Sequence, residues 1–237
     1  MSDTAFLTAM RFADSFLPVG TYTSSYAIEQ YINEGRVETS SELRSLVEAY
    51  LWRVIGPAET VALANAHTAA ADEDLEGIVA ADERLHAATI PTEFREGSTR
   101  AGNKLLDLVT ETDETLFGGS PDCGTVAAFD EAVSTNETPG NYPVVLGVLT
   151  QRAGIERREA CLVGMYSFAS DLLGAAQRLG RFGHTDVQSQ LADLLPVMES
   201  VCDEYADSEL SDLSSFAPLA ETMSMKHERA DRRLFMS

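Results

Sequence analysis

The chain is short of lysine, of long apolar runs and of paired cysteines. Lys104 and Lys226 are its only lysines, and 17 basic residues face 38 Asp and Glu, for a formal charge of −21. A chain so acidic has no basic footprint, which argues against nucleic acid and anionic membrane surfaces as partners. No run approaches the roughly 18 apolar residues of a membrane span. The segment MSDTAFLTAMRFADSF places no basic cluster ahead of an apolar stretch, so a cleaved leader is not expected either. The expectation is a cytoplasmic protein. Cys123, Cys161 and Cys202 are odd in number and form no CxxC, and Cys161 and Cys202 lie among apolar residues, so buried free thiols are expected.

Catalytic signatures are missing too. There is no GxxxxGK[ST], HExxH, GxSxG or GxGxxG. His67, His86, His184 and His227 are scattered, with no two at metal-binding spacing. The expectation is a protein that is not an enzyme and carries no cofactor of its own. Period-2 alternation of useful length is also lacking, which excludes a strand-based fold.

What is present is helical periodicity. Leu43, Leu46, Val47, Tyr50, Leu51 and Val54 follow i, i+3, i+4, i+7 behind a cap at Ser40 or Ser41. Gly56-Pro57 should punctuate, and Asp72 should cap a helix ending near Ala88. Pro91 opens a further helix in which Gly97, Ser98, Ala101 and Gly102 make a small face suited to close approach. A loop is expected from Glu111 to Asp122. Ile155–Leu179 has no proline and is apolar or small nearly all round, the mark of an interior helix. At 237 residues one sizeable core is possible. The fold class expected is all-α: a single-domain bundle, residues 1–237, of about ten helices around a buried central helix near 155–180.

Two features suggest chemistry or contact. Met223, Met225 and His227 are soft ligands, but only Met223 and His227 share a helix face. Lys226, His227, Arg229, Arg232 and Arg233 make a basic tail on an acidic chain, ending in Leu234-Phe235-Met236-Ser237. Arg with exposed aromatic and aliphatic groups is typical of docking hot spots, so 226–237 is expected to be a flexible docking tail. An acidic surface with Arg in place of Lys also suits a cytoplasm of high salt, so a halophilic source is expected.

Four blocks together resemble the urease accessory protein UreF family. They are Ala13-Asp14-Ser15-Phe16-Leu17-Pro18-Val19-Gly20 with Ser24 to Glu29; Glu93-Phe94-Arg95-Glu96-Gly97-Ser98 with Gly102, Leu105 and Leu106; Gly140-Asn141-Tyr142-Pro143 to Gly147, continuing through Ala175–Gly180 and Gly183–Gln188; and Met223–Glu228 with the terminal Arg233-Leu234-Phe235-Met236-Ser237. Thr21, Asn141 and His184 stand where the family pattern has Gly, His and Gln.

The resemblance implies an all-helical, cytoplasmic, often dimeric protein, and the composition suggests that its halophilic source is an archaeon. It implies a non-catalytic adaptor that joins UreD (also called UreH) and the GTPase UreG to deliver nickel to apo-urease. It puts Lys226, His227, Arg229, Arg233, Leu234, Phe235, Met236 and Ser237 against UreD. It puts Asp14, Pro18, Gly20, Glu29, Arg178, Asp186 and Gln188 against UreG. A rival reading from another class is a helical small-molecule binder or enzyme with a cavity lined by Tyr142, Met165 and Tyr166. A metal store is a third, disfavoured by the sparse His and Cys.

Overall fold

The computed structural model describes residues 1–20, 26–116 and 124–230, with the backbone alone for 113–116. Among them there are helices and no strands. The first elements are α1 (Asp3–Phe12) and α2 (Ile28–Asn33). The stretches Ser40–Tyr50, Leu51–Thr60 and Val61–Ala71 run on without a break as α3. Then come α4 (Leu75–Ala88), α5 (Thr92–Leu116), α6 (Gly124–Ser134), α7 (Tyr142–Arg152), α8 (Arg157–Arg178), α9 (His184–Tyr205) and α10 (Pro218–Glu228).

Local chemistry explains most boundaries. Ser2 caps α1 by accepting from the Ala5 N–H. Thr39, one residue before the expected cap, closes a capping box: its hydroxyl accepts from Glu42 N–H, and the Glu42 carboxylate accepts from Thr39 N–H. Asp74 rather than Asp72 caps α4, accepting from Gly77 N–H at 3.0 Å. Gly35, Gly154 and Gly180 turn the chain at positive φ after α2, α7 and α8.

Two expectations about elements are corrected. Gly56-Pro57 does not end a helix, because the middle of α3, Leu51–Thr60, widens to π geometry and carries Pro57 within it. Gly56 lets α9 approach there: a Cβ would lie 2.6 Å from the Val201 and Tyr205 side chains. The loop expected from Glu111 is instead helix to Leu116, bent at Thr112 (φ −119°, ψ 15°), whose hydroxyl donates to the Leu108 carbonyl. In α1, Phe6, Leu7 and Met10 share the exposed side, and Ala5, Thr8, Ala9 and Phe12 face inward.

The interior post is also shared differently from expectation. α8 is a core helix, burying Ala160, Cys161, Met165, Phe168, Leu172 and Leu173, but Leu162, Val163 and Tyr166 are only half-buried. The most completely enclosed helix is α7, buried without interruption from Pro143 to Thr150. It lies so close to α3 that a Cβ on Gly147 would be 2.5 Å from the Leu63 carbonyl oxygen. Among the described residues no helix is long and apolar enough to cross a membrane.

Candidate functional site

The N-terminal half of α5 is where segments far apart in sequence meet. Its first turn carries Glu93, and the Glu93 N–H donates to the Glu228 carboxylate at 3.1 Å. The Glu93 carboxylate lies 2.8 Å from His227 Nδ1, while Glu29 of α2 lies 3.4 Å from His227 Nε2. All three side chains are buried. A ring protonated at both nitrogens can donate to both carboxylates; a neutral ring serves one. Beside this group Lys226 pairs with Glu34 at 2.8 Å, and that ammonium holds the Glu34 carboxyl down at about 2. These contacts tie α10 to α2 and α5.

One helical turn further along α5, Ser98 accepts from the Tyr142 N–H at 3.1 Å. Gly102 presses on the same segment: a Cβ there would meet the Gly140 carbonyl oxygen at 2.1 Å. That segment, 138–141, is held from the other side by Asp82 of α4, which is fully buried. The Asp82 carboxylate accepts from the Thr138 hydroxyl at 2.6 Å, the Gly140 N–H at 2.6 Å, and the Asn141 backbone and side-chain N–H at 2.7 Å each. A buried carboxylate with four donors is satisfied without a counter-ion. Asn141, in the place of a histidine in the family pattern, thus works as part of a structural knot.

Below the knot lies a cavity between α3, α5, α7 and α8. Its aromatic wall is Tyr26, Phe94 and Phe168, with ring centroids 4.9 and 4.8 Å from that of Tyr26. Tyr142, Met165, Glu59 and Asp171 also line it. Burial raises the Glu59 carboxyl to about 7, with the Tyr26 hydroxyl at 3.3 Å acting in the opposite sense. Burial also pushes the Tyr26 and Tyr142 hydroxyls up. Of the three residues expected around a cavity, Tyr142 and Met165 are there; Tyr166 is not among the lining residues.

Several expected site residues fall elsewhere. His227 and Glu29 are buried against each other, so neither presents its side chain at the surface of this chain. Lys226, His227 and Glu228 belong to α10, so the expected tail starts no earlier than Arg229. Arg233, Leu234, Phe235, Met236 and Ser237 lie outside the described residues, as do Thr21 and Cys123. Asp14 and Pro18 are exposed and Gly20 is half-buried, in a segment that packs near Ser167 and Asp171 of α8. Arg178 is half-buried at the end of α8, and Asp186 and Gln188 are exposed at the start of α9. Asp186 accepts from the Gly183 N–H at 3.3 Å, and Gln177 bonds His184 at 2.9 Å, which couples the two helix ends. Cys161 and Cys202 are buried free thiols whose mutual interaction raises Cys161 and lowers Cys202, and the Cys202 thiol donates to the Arg158 carbonyl at 3.8 Å. His67 is packed, its ring bonding the Ile155 carbonyl. Among the described residues no group of three His, Cys, Asp or Glu side chains is arranged to hold a metal ion.

Sequence reasoning missed the buried Asp82 and the half-buried, cavity-lining Glu59. A signal existed for Asp82: it shares the phase of Ile78, Ala81 and Leu85, the buried stripe of α4. Glu59 carried none, because the π segment shifts the phase of its helix.

Parts of all four sequence blocks therefore converge. Glu29, then Glu93 to Gly102, then Gly140 to Pro143, then His227 and Glu228 meet within one joint. Comparison with known proteins agrees. The UreF family profile matches residues 37–195. The chain belongs to the UreF family. It is 27% identical over 235 residues to the urease accessory protein UreF of Trichodesmium erythraeum (strain IMS101), covering 97% of this chain and 95% of that one. It is 30% identical over 226 residues to the protein of the same name from Yersinia pseudotuberculosis serotype IB (strain PB1/+), covering 95% of each. The same identity and coverage hold for that of Yersinia pestis. UreF membership thus spans nearly the whole chain, joint included.

Proposed function

We propose that this chain is a non-catalytic adaptor in urease maturation, acting in the cytoplasm as a homodimer with UreD and the GTPase UreG to deliver nickel to apo-urease. Family membership across nearly the full length is the observation that carries the reading. Nickel is the cargo of the assembly rather than a resident cofactor of this chain.

The joint supports a role for α10 as a rigid launch point. With Lys226, His227 and Glu228 fastened to α2 and α5, the segment that follows leaves from a fixed place and direction. Arg229, Arg233, Leu234, Phe235, Met236 and Ser237, with Lys226 at the rim, make the surface for UreD. Burying Leu234 and Phe235 would contribute about 1.5–3 kcal/mol each. Asp14, Pro18, Gly20, Arg178, Asp186 and Gln188 make the surface for UreG. A non-enzyme alters GTP use there by binding one state of the GTPase more tightly than the other.

Co-expression with UreD and UreG, followed by affinity capture and urease assay, tests the reading. Capture of both partners, and nickel-loaded active urease only when this chain is present, is expected. Full urease activation without the chain would overturn the adaptor role. Deleting Arg233 to Ser237 should abolish co-purification with UreD, and unchanged co-purification would remove the tail from the interface. Arg178→Ala should weaken UreG capture or urease activation; normal assembly and activation would take Arg178 out of the UreG surface.

A further inference from the structure

The cavity between α3, α5, α7 and α8 carries the half-buried Glu59 carboxylate in its wall. An ionised carboxylate offers about four acceptor positions, yet Glu59 takes one hydrogen bond among the described residues, from Tyr26 at 3.3 Å. Among the described residues no Lys, Arg or His lines the space, and Asp171 adds a second acidic side chain to its wall. Tyr26, Phe94 and Phe168 face the same space, and aromatic faces attract positive charge. The remaining wall is largely apolar, with Ile55, Leu63, Leu146 and Met165. The water-accessible space is about 60 Å³. At roughly 10–15 Å³ for one water, that admits a ligand of only a few heavy atoms.

We infer that this cavity binds a small organic monocation, a short alkylammonium, with its ammonium on Glu59 and its alkyl group against Tyr26, Phe94 and Phe168. A neutral molecule of the same size leaves the Glu59 charge uncompensated. An anion is repelled by Glu59 and Asp171. Among the described residues no set of three ligands is placed here for a divalent metal. Among the described residues the other titratable groups facing the space are Tyr26, Tyr142, Asp171 and Cys161. Because Glu59 holds its proton up to about 7, the site is charged and competent above that pH and loses its attraction below it. The site stands independently of the adaptor role.

The test is calorimetric titration of the full chain with ethylammonium chloride in molar KCl, which screens the acidic surface. Ethanol serves as the neutral counterpart, and Glu59→Gln as a variant that keeps the shape of the side chain. Saturable binding at pH 8 is expected, at least ten-fold weaker at pH 5.5 and at least ten-fold weaker in Glu59→Gln. Thermal melts of the variant establish that it is folded. Binding that is equal in wild type and Glu59→Gln, equal for ethanol and ethylammonium, or absent at pH 8 would each overturn the inference.

Discussion

Three buried acids and the half-buried Glu59 meet three different fates in this chain, and the partner atoms decide which. Asp82 is met by four donors and stays fully enclosed. Asp82→Ala strands a hydroxyl, two backbone N–H groups and an amide, so we expect a loss of about 3–5 kcal/mol in denaturant unfolding. Glu93 and Glu29 are met by His227. His227→Ala leaves two carboxylates in the interior and should likewise cost about 3–5 kcal/mol, whereas Lys226→Ala, which breaks a surface pair, should cost under about 1 kcal/mol. Glu59 is met by one tyrosine and is raised to about 7. The folded chain therefore holds a proton that the unfolded chain releases near pH 4.5. Stability from this group is full below that pH and is lost as pH rises towards 7, by at most about 3 kcal/mol. Glu59→Gln should remove that decline, so variant and wild type should differ most at pH 8 and least near pH 4 in pH-resolved melts.

At the scale of elements, glycines set how closely helices approach. Gly102 against the Gly140 carbonyl and Gly147 against the Leu63 carbonyl meet backbone, which cannot rotate aside. Gly102→Ala and Gly147→Ala should each destabilise by about 1–3 kcal/mol or more. Gly174→Ala, whose Cβ would meet only the Arg178 guanidinium at 3.4 Å, should be near neutral or stabilising. Thermal melts of the three variants distinguish these outcomes. The elements also show why some of the fold was legible and some not. The amphipathic stripe of Leu43, Val47 and Tyr50 and the apolar run of α8 are periodic signals that survive in the structure. Gly56-Pro57 reads as a stop in any local grammar. Only α9, packing through Gly56 with Val201 and Tyr205, explains the small residue inside a widened helix. Phe6, Leu7 and Met10 mark a helical face correctly but not whether that face turns inward; Ala5, Ala9 and Phe12 proved to be the inward set.

For the molecule as a whole, a formal charge of −21 is the dominant property. Like charges spread over the surface repel through distances that salt shortens, from a Debye length of about 10 Å at 0.1 M to about 3 Å at 1 M. The melting temperature should rise steadily with KCl into the molar range, and equal stability in dilute buffer would refute a surface adapted to high salt. The sequence by itself determined the helical class, the acidic surface and the family blocks, because periodicity, composition and ordered motifs are local or additive properties. It also supplied the residues of the joint, but as four separate blocks. Only the tertiary structure decided that Glu29, Glu93 and His227 form one buried group, that Asp82 locks Gly140 and Asn141, and that α7 rather than α8 is the innermost helix. Those outcomes depend on which helix ends meet across separations of up to 198 residues, and no local pattern encodes that.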